Sequence, residues 1–139
     1  MVHIGYASTQ DFESLQTLDH HIRPAMLAQK IDRQEILVAK IGDELVGWLR
    51  FGYFWDNLPF MNLLFVLEPH RGNHLGEQLV VHWENAMKTQ GFDQVFTSTL
   101  ADENAQHFYR KLGYIDCGAL LLPGEAAEII LRKPLREQI

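Results

Sequence analysis

The sequence predicts a mixed α/β fold, with a largely antiparallel central sheet of about seven strands and helices on both faces. Three observations support this class. Runs rich in Val, Ile, Phe and Trp recur along the chain, amphipathic helical stretches stand between them, and Gly or Pro marks many of the junctions. Elements in this order form a sheet that is covered by helices.

The predicted strands share an alternating or continuous apolar pattern that turn residues interrupt. In chain order they are 2–7, 35–41, 44–54, 60–67, 93–99, 114–122 and 127–132. Gly42-Asp43 supplies a tight turn, so the second and third strands form a hairpin. We expect 56–59 to break the chain before the fourth strand.

Four helices are predicted between these strands. Ser8-Thr9 caps the first, which ends near residue 20, and Pro24 begins the second, which ends near residue 31. The third spans about 76–89. The fourth is expected to begin at an Asp102 cap and to end at Gly113 in a left-handed conformation.

The third helix has one apolar face. Its inward positions are Leu75, Leu79, Trp83, Ala86 and Met87. Its polar positions are Glu77, Gln78, Glu84, Asn85 and Lys88, with Glu84 and Lys88 predicted to pair at the surface.

Length and charge limit the possible functions. We assign residues 1–139 to a single domain, because this length is enough for one substantial core. The net charge of −6 argues against a general binder of nucleic acid or of an anionic membrane, and is compatible with a cationic acceptor such as an amine. Neither a signal peptide nor an apolar run near the ~20 residues of a membrane span is present, so a soluble cytoplasmic protein is expected.

The residues that suggest metal or thiol chemistry are few. The single cysteine, Cys117, excludes an internal disulfide framework and a Cys-rich zinc site, and its apolar neighbours predict a buried side chain rather than a nucleophile. His20 and His21 point apart if helical, which favours a solvated helix end over a metal site. We predict no bound metal.

One stretch, 63–79, has the order apolar strand, glycine-containing loop and helix start. Backbone N–H groups in such a loop and the helix dipole favour an anion such as phosphate. The segment Pro69-His70-Arg71-Gly72-Asn73-His74-Leu75-Gly76 resembles the pyrophosphate-binding loop of the GCN5-related N-acetyltransferase (GNAT) family, whose core reads Gln/Arg-x-x-Gly-x-Gly/Ala. Arg71 and Gly76 fit this core, and His74 stands where the middle glycine is expected.

A second stretch, 102–114, is similar to another signature of this family, Asn-x-x-Ala-x-x-Phe/Leu-Tyr-x-Lys-x-Gly-Phe. The residues that match in register are Ala105, Phe108, Tyr109, Lys111, Gly113 and Tyr114, while Asp102 takes the Asn position. Two signatures in the right order are more specific than either alone.

The resemblance implies a GNAT fold, acetyl-CoA as co-substrate and direct attack of an amine on the thioester. The two central strands would splay apart, and the pantetheine arm would pair with the edge of 60–67. The residues implied to contact the co-substrate are Phe65, Val66, Leu67, Arg71, Gly72, Asn73, His74, Leu75, Gly76, Asp102, Asn104, Tyr109 and Lys111. Tyr109 would protonate the leaving thiolate, for which a phenol with a pKa near its usual ~10 suffices.

The residues alone leave alternatives open at this predicted site. Without the resemblance, the helical spacing of Tyr109 favours a core residue with its hydroxyl at the rim over an acid. A positive φ at His74 would strain the loop. Asn62 stands where many members of the family carry a Glu that acts as the general base. Glu68 and His70 are weak candidates to replace that Glu. We therefore leave the base unassigned and expect the amine to lose its proton through water.

The acceptor region is the least defined. The resemblance points to 20–28 and 53–60, where Tyr53, Trp55 and Asp56 would hold an aromatic or cationic amine, or where Phe54 and Trp55 would pack the hairpin or a homodimer contact. The sequence predicts an N-acetyltransferase for a primary amine of a small molecule or peptide. The alternatives are a non-catalytic acyl-CoA-binding module and a structural α/β interaction protein.

Overall fold

The computed structural model describes residues 1–136, in which there are seven strands and four helices. The strands are β1 (Val2–Tyr6), β2 (Ile36–Ile41), β3 (Glu44–Phe54), β4 (Leu58–Val66), β5 (Gln94–Leu100), β6 (Ile115–Leu120) and β7 (Glu128–Pro134). The helices are α1 (Phe12–Leu18), α2 (Pro24–Asp32), α3 (Leu75–Thr89) and α4 (Ala105–Lys111). None of the helices in these residues has the length and apolar content needed to cross a bilayer.

The strands follow the order β1-β2-β3-β4-β5-β7-β6 in one sheet. Antiparallel pairs join β1 to β2, β2 to β3, β5 to β7 and β6 to β7, whereas β4 and β5 run parallel. The predicted fold class and the predicted order of strands and helices are therefore confirmed. Within the sheet, β4 begins at Leu58, so residues 58–59 belong to the strand and not to the predicted break.

The chain divides into two compact units. The first contains Met1–Phe51 and Leu63–Trp83. One cluster of its core is formed by Ala7, Leu15, Leu27, Ile31, Ile36, Val38, Leu45 and Trp48. A buried ion pair lies in the same unit, where Arg50 Nε–H donates to Asp19 Oδ2 at 3.0 Å and the indole N–H of Trp48 donates to the same oxygen at 3.2 Å. The donors of Trp48 and Arg50 both compensate for the burial of the Asp19 carboxylate.

The second unit contains Gly52–Asn62 and the described residues from Glu84 onward. Its buried side chains include Met61, Met87, Val95, Thr97, Tyr109, Tyr114 and Leu131. Burial alternates along β5, which pairs with β4 on one side and β7 on the other. The assignment of residues 1–139 to a single domain stays a prediction.

The prediction that Glu84 lies on the solvent-facing side of α3 is wrong. Its side chain is buried instead of facing water, and it pairs with Lys133 rather than with Lys88. Glu84 Oε1 lies 2.9 Å from Lys133 Nζ, and Glu84 Oε2 accepts a hydrogen bond from the Tyr114 hydroxyl at 2.8 Å. Two donors distant in sequence thus compensate for burying the carboxylate.

The prediction that Cys117 is buried is also wrong, because its side chain is exposed. Every residue of β6 is exposed, and this strand is the last in the sheet order. The pairing of β6 with β7 shifts between Asp116 and Gly118, so Cys117 is the extra residue of a bulge. The apolar run around Cys117 therefore lies at a sheet edge instead of in the core.

Candidate active site

In the first unit, the carboxyl end of β4 lies against β3 because Gly47 has no side chain. A Cβ at Gly47 would stand 3.0 Å from the Phe65 carbonyl oxygen. Leu67 N–H donates to the Val46 carbonyl oxygen at 2.9 Å, so this amide is already used by β3. Because backbone groups alternate in direction along a strand, those of Val66 point away from β3. Of the predicted trio Phe65, Val66 and Leu67, Val66 is the residue placed to offer its backbone to another molecule.

Arg71 is folded back onto the end of β4. Its Nε–H donates to the Val66 carbonyl oxygen at 2.8 Å, and its guanidinium carbon lies 5.1 Å from the centre of the Phe65 ring. This hydrogen bond and cation–π contact fix the cation beside the strand. The carbonyl of Val66 is consequently occupied by Arg71.

The glycine loop, which we define as Arg71–Gly76, contains two residues in the left-handed region. Gly72 has φ +85° and His74 has φ +62°. A Cβ at Gly72 would meet no atom within 4 Å, so the backbone conformation is what favours glycine there. His74 adopts the positive φ at some steric cost, although His is among the residues enriched in this region.

Helix α3 follows directly from this loop. The His74 carbonyl accepts the first helical hydrogen bond, from Gln78 N–H at 3.0 Å, and Leu75 and Leu79 anchor the first turns in the core. Residues 71–74 are exposed. N–H groups at the start of a helix have no intrahelical partners, and the dipole of a helix of 15 residues favours negative charge there. The glycine loop has the arrangement that binds a phosphate group.

In the second unit, Tyr109 projects from α4 into the core and is 7% exposed. Burial raises the pKa of Tyr109 from its usual value of 10.0 to about 12; a hydrogen bond with Thr97 lowers it in part, and the charge of Glu103 raises it. The phenol is therefore a weaker acid than the sequence led us to expect. It stays protonated at neutral pH and is a permanent hydrogen-bond donor.

Thr97 is a polar residue of this unit that sequence reasoning did not single out. Its hydroxyl donates to the Met61 carbonyl oxygen at 3.0 Å, between the paired strands β4 and β5. The side chain is 1% exposed. The alternation along 94–100, in which Thr97 falls on the same face as Val95, was the available signal.

Hydrogen bonds cap the C-terminal end of α4 and fix the position of Tyr109. Gly113 has the predicted left-handed conformation, with φ +98°. Gly113 N–H donates to the Arg110 carbonyl and Tyr114 N–H to the Tyr109 carbonyl, both at 3.1 Å, which is the Schellman pattern. The Tyr114 ring then packs edge-on to Tyr109, with centroids 5.6 Å apart. Both ends of this contact are held, since the Tyr114 hydroxyl is bonded to Glu84.

The start of α4 differs from the prediction. The N-cap is Asn104 and not Asp102, and no side chain accepts a cap hydrogen bond there. The preceding turn is instead held by the Gln106 amide, which donates to the Ala101 and Glu103 carbonyls at 2.8 Å each. Asp102, Asn104 and Lys111 are exposed.

The remaining predicted residues form no further catalytic group. Asn62 is exposed on β4, and its amide cannot act as a base. Trp55 and Asp56 lie in the turn before β4, where the Phe54 ring contacts those of Trp55 and Phe60. Among residues 1–136 there is no group of three His, Cys, Asp or Glu side chains that could hold a metal ion.

A seven-stranded mixed sheet with a phosphate-type loop after β4 and a buried tyrosine on α4 has the layout of an acyl-CoA-dependent acyltransferase. A family model described as "Acetyltransferase (GNAT) family" matches residues 6–114. The chain therefore belongs to this family of acetyltransferases. A search of curated protein sequences finds no match.

Solved structures with the same fold are distant in sequence. A GNAT-family acetyltransferase from Bacillus cereus is 21% identical, with a TM-score of 0.79 over 96% of this chain and 97% of that one. The ribosomal-protein-S18-alanine N-acetyltransferase from Escherichia coli is 14% identical, with a TM-score of 0.82 over 99% and 96%. An Arabidopsis thaliana protein in complex with the bisubstrate analogue CoA-Ac-MVNAL is 19% identical, with a TM-score of 0.76 over 95% and 97%.

Proposed function

We propose that this protein transfers the acetyl group of acetyl-CoA to a primary amine of a small molecule or peptide by direct attack. The observation that carries this proposal is the buried, protonated Tyr109, which stands at the position of the tyrosine in the family signature. The bisubstrate analogue bound to the Arabidopsis protein joins CoA to a peptide, which supports the choice of co-substrate and acceptor class.

The co-substrate would use the groups described above. N–H groups of residues 72–76 bind the pyrophosphate, with the Arg71 cation nearby. The outward-pointing N–H of Val66 pairs with the pantetheine arm, because the Val66 carbonyl oxygen already accepts a hydrogen bond from Arg71. Asn104 and Lys111 offer exposed polar groups to the CoA portion, as does Asp102.

The reaction forms one C–N bond and breaks one C–S bond. The amine nitrogen attacks the thioester carbonyl carbon, the sulfur leaves as a thiolate, and the Tyr109 hydroxyl donates to that sulfur. With a pKa of about 12 against roughly 8.5 for a thiol, complete proton transfer from Tyr109 is uphill by about 5 kcal/mol. We infer that Tyr109 acts chiefly as a hydrogen-bond donor to the developing thiolate, and the thiolate takes its final proton from water.

Loss of the amine proton needs no residue of the chain. Acid–base assistance contributes roughly 10²- to 10⁴-fold, whereas positioning two reactants lowers the barrier by about 7–11 kcal/mol. Asn62 cannot ionise, so water carries the proton away, and the rate rises with pH as the acceptor amine itself deprotonates. A pH–rate profile with no ascending limb between about pH 6 and 9 contradicts this route.

Calorimetry with acetyl-CoA, followed by an assay of free-thiol release over a panel of amines, tests the proposal. The panel contains peptides with free N-termini, lysine side chains, polyamines and aromatic amines. We expect binding of acetyl-CoA and thiol release with at least one class.

The second candidate is a non-catalytic acyl-CoA-binding module, which Asn62 and the strained His74 favour. It predicts tight binding of acetyl-CoA with no thiol release for any amine of the panel. A structural interaction protein predicts no binding of acetyl-CoA at all.

A further inference from the structure

The turn between β3 and β4 has a conformation that its residues do not prefer. Trp55 and Asp56 have φ values of +54° and +63°, and Asn57 N–H donates to the Phe54 carbonyl at 3.2 Å. Two left-handed residues at the centre of a two-residue hairpin turn are the feature of type I′, which favours Asn-Gly. A tryptophan at the first position carries a steric cost that Asn or Gly would avoid.

Core packing does not explain this tryptophan. Trp55 is 75% exposed and Phe54 44% exposed, and their ring centroids lie 4.6 Å apart. The Asn57 side chain donates to the Trp55 carbonyl at 3.0 Å and holds the turn. The backbone thus presents two neighbouring aromatic rings to solvent, and backbone strain of this kind clusters at functional positions.

The charge beside these rings identifies the kind of partner. Asp56 is the only acidic, basic or histidine residue between Phe51 and Leu67. A carboxylate next to two aromatic faces is complementary to a cation, which the ring faces and the negative charge both attract. An anionic membrane is repelled by Asp56 and by the net charge of −6, and a second copy of this turn would bring another Asp56.

We propose that the aromatic turn, defined as Phe54–Asn57, is a docking surface for a cationic segment of a protein partner. A Lys or Arg side chain of that segment stacks on Phe54 and Trp55 and pairs with Asp56. In the chain, the aromatic turn precedes β4, whereas the glycine loop follows β4. The resemblance implied that Trp55 and Asp56 would hold the acceptor amine, whereas the partner proposed here is bound without being acetylated. Its binding therefore does not depend on the acetyl-transfer reaction.

Intrinsic fluorescence is a selective probe for this surface. Of the three tryptophans, Trp48 and Trp83 are 1% and 0% exposed, so external quenching by acrylamide reports Trp55. The ligand is a capped peptide of alternating arginine and alanine, compared with glutamine–alanine and glutamate–alanine peptides of equal length. We expect the arginine peptide to protect Trp55 from quenching, and the protection to weaken as salt is added.

Two variants test the residues without disturbing the turn, because Asn is readily accommodated in the left-handed conformation. Trp55→Asn and Asp56→Asn should each weaken binding of the arginine peptide, measured by calorimetry, by about fivefold or more. The matched control is Leu121→Asn, which changes an apolar residue of the second unit that is 85% exposed and lies outside the aromatic turn. This variant should bind the arginine peptide as tightly as the wild type.

Three results overturn the proposal. The first is equal affinity of the wild type and both turn variants for the arginine peptide. The second is binding of the glutamine or glutamate peptide as tightly as the arginine peptide. The third is self-association of the wild type that Trp55→Asn abolishes in sedimentation, since a second copy would then occupy the turn.

Discussion

The buried network around Glu84 gives a stability prediction whose size follows from the structure. Tyr114→Phe keeps the ring and removes the hydroxyl that donates to Glu84 at 2.8 Å. Tyr114 and Glu84 are 3% and 7% exposed, so a hydrogen bond to a charged acceptor is lost at a site that water scarcely reaches. Such bonds contribute about 1.5–3 kcal/mol. Lys133 still pairs with Glu84, so we expect a loss of about 2 kcal/mol, towards the lower part of this range.

Urea denaturation measures this loss directly. For a chain of 139 residues, about 2 kcal/mol corresponds to a decrease in Tm of roughly 6–8 °C. A double-mutant cycle with Glu84→Gln should give a coupling energy of about 1 kcal/mol. Tyr6→Phe, the same chemical change at an exposed tyrosine, is the control and should change stability by less than about 0.5 kcal/mol. Equal stabilities of Tyr114→Phe and Tyr6→Phe would refute the reasoning.

Three further predictions concern burial, backbone and pH. Asp19→Ala leaves Arg50 buried without its carboxylate and should lower the free energy of unfolding by about 3–5 kcal/mol in a thermal scan, so a loss below about 1 kcal/mol contradicts it. Gly72→Ala, at φ +85°, should cost about 1 kcal/mol and weaken acetyl-CoA binding several-fold in calorimetry; unchanged binding removes the loop from the site. Because burial raises the pKa of Tyr109 from 10.0 to about 12, its contribution to stability is complete below pH 10 and is lost as the pH rises through 12, by about 3 kcal/mol. Tyr109→Phe should make the alkaline decline in urea stability shallower, and an unchanged decline argues against the raised pKa.

The fold could be predicted because its signals are local. The apolar stripe of α3 and the long β3 run follow directly from residue spacing, and Gly113 marks the end of α4. The prediction that Glu84 faces water failed because its burial depends on residues distant in sequence. Glu84 is buried because Tyr114 and Lys133, 30 and 49 residues away, supply its donors.

The sequence motifs located the candidate site, but they could not predict which backbone groups and side chains form its hydrogen bonds. The spacing of the two signatures located the glycine loop and Tyr109, yet the pairing of β3 with β4 decides that Leu67 N–H is used and that Val66 points outward. In the same way, the α4 cap was placed at Asp102 because the pattern does not reveal that the Gln106 side chain holds this turn. A hydrogen bond between strands thus decides the direction of the Val66 backbone, and a local side-chain hydrogen bond decides where α4 begins.

The role of Tyr109 is tested most directly by the turnover of Tyr109→Phe with a confirmed amine substrate, alongside its dissociation constant for acetyl-CoA. Phenylalanine preserves the buried ring and removes only the hydroxyl. A hydrogen bond made in the transition state predicts a decrease in kcat of about tenfold or more, with the affinity for acetyl-CoA unchanged. An unchanged kcat, with correct folding and full acetyl-CoA binding, would contradict the assignment of Tyr109 as the donor to the leaving sulfur.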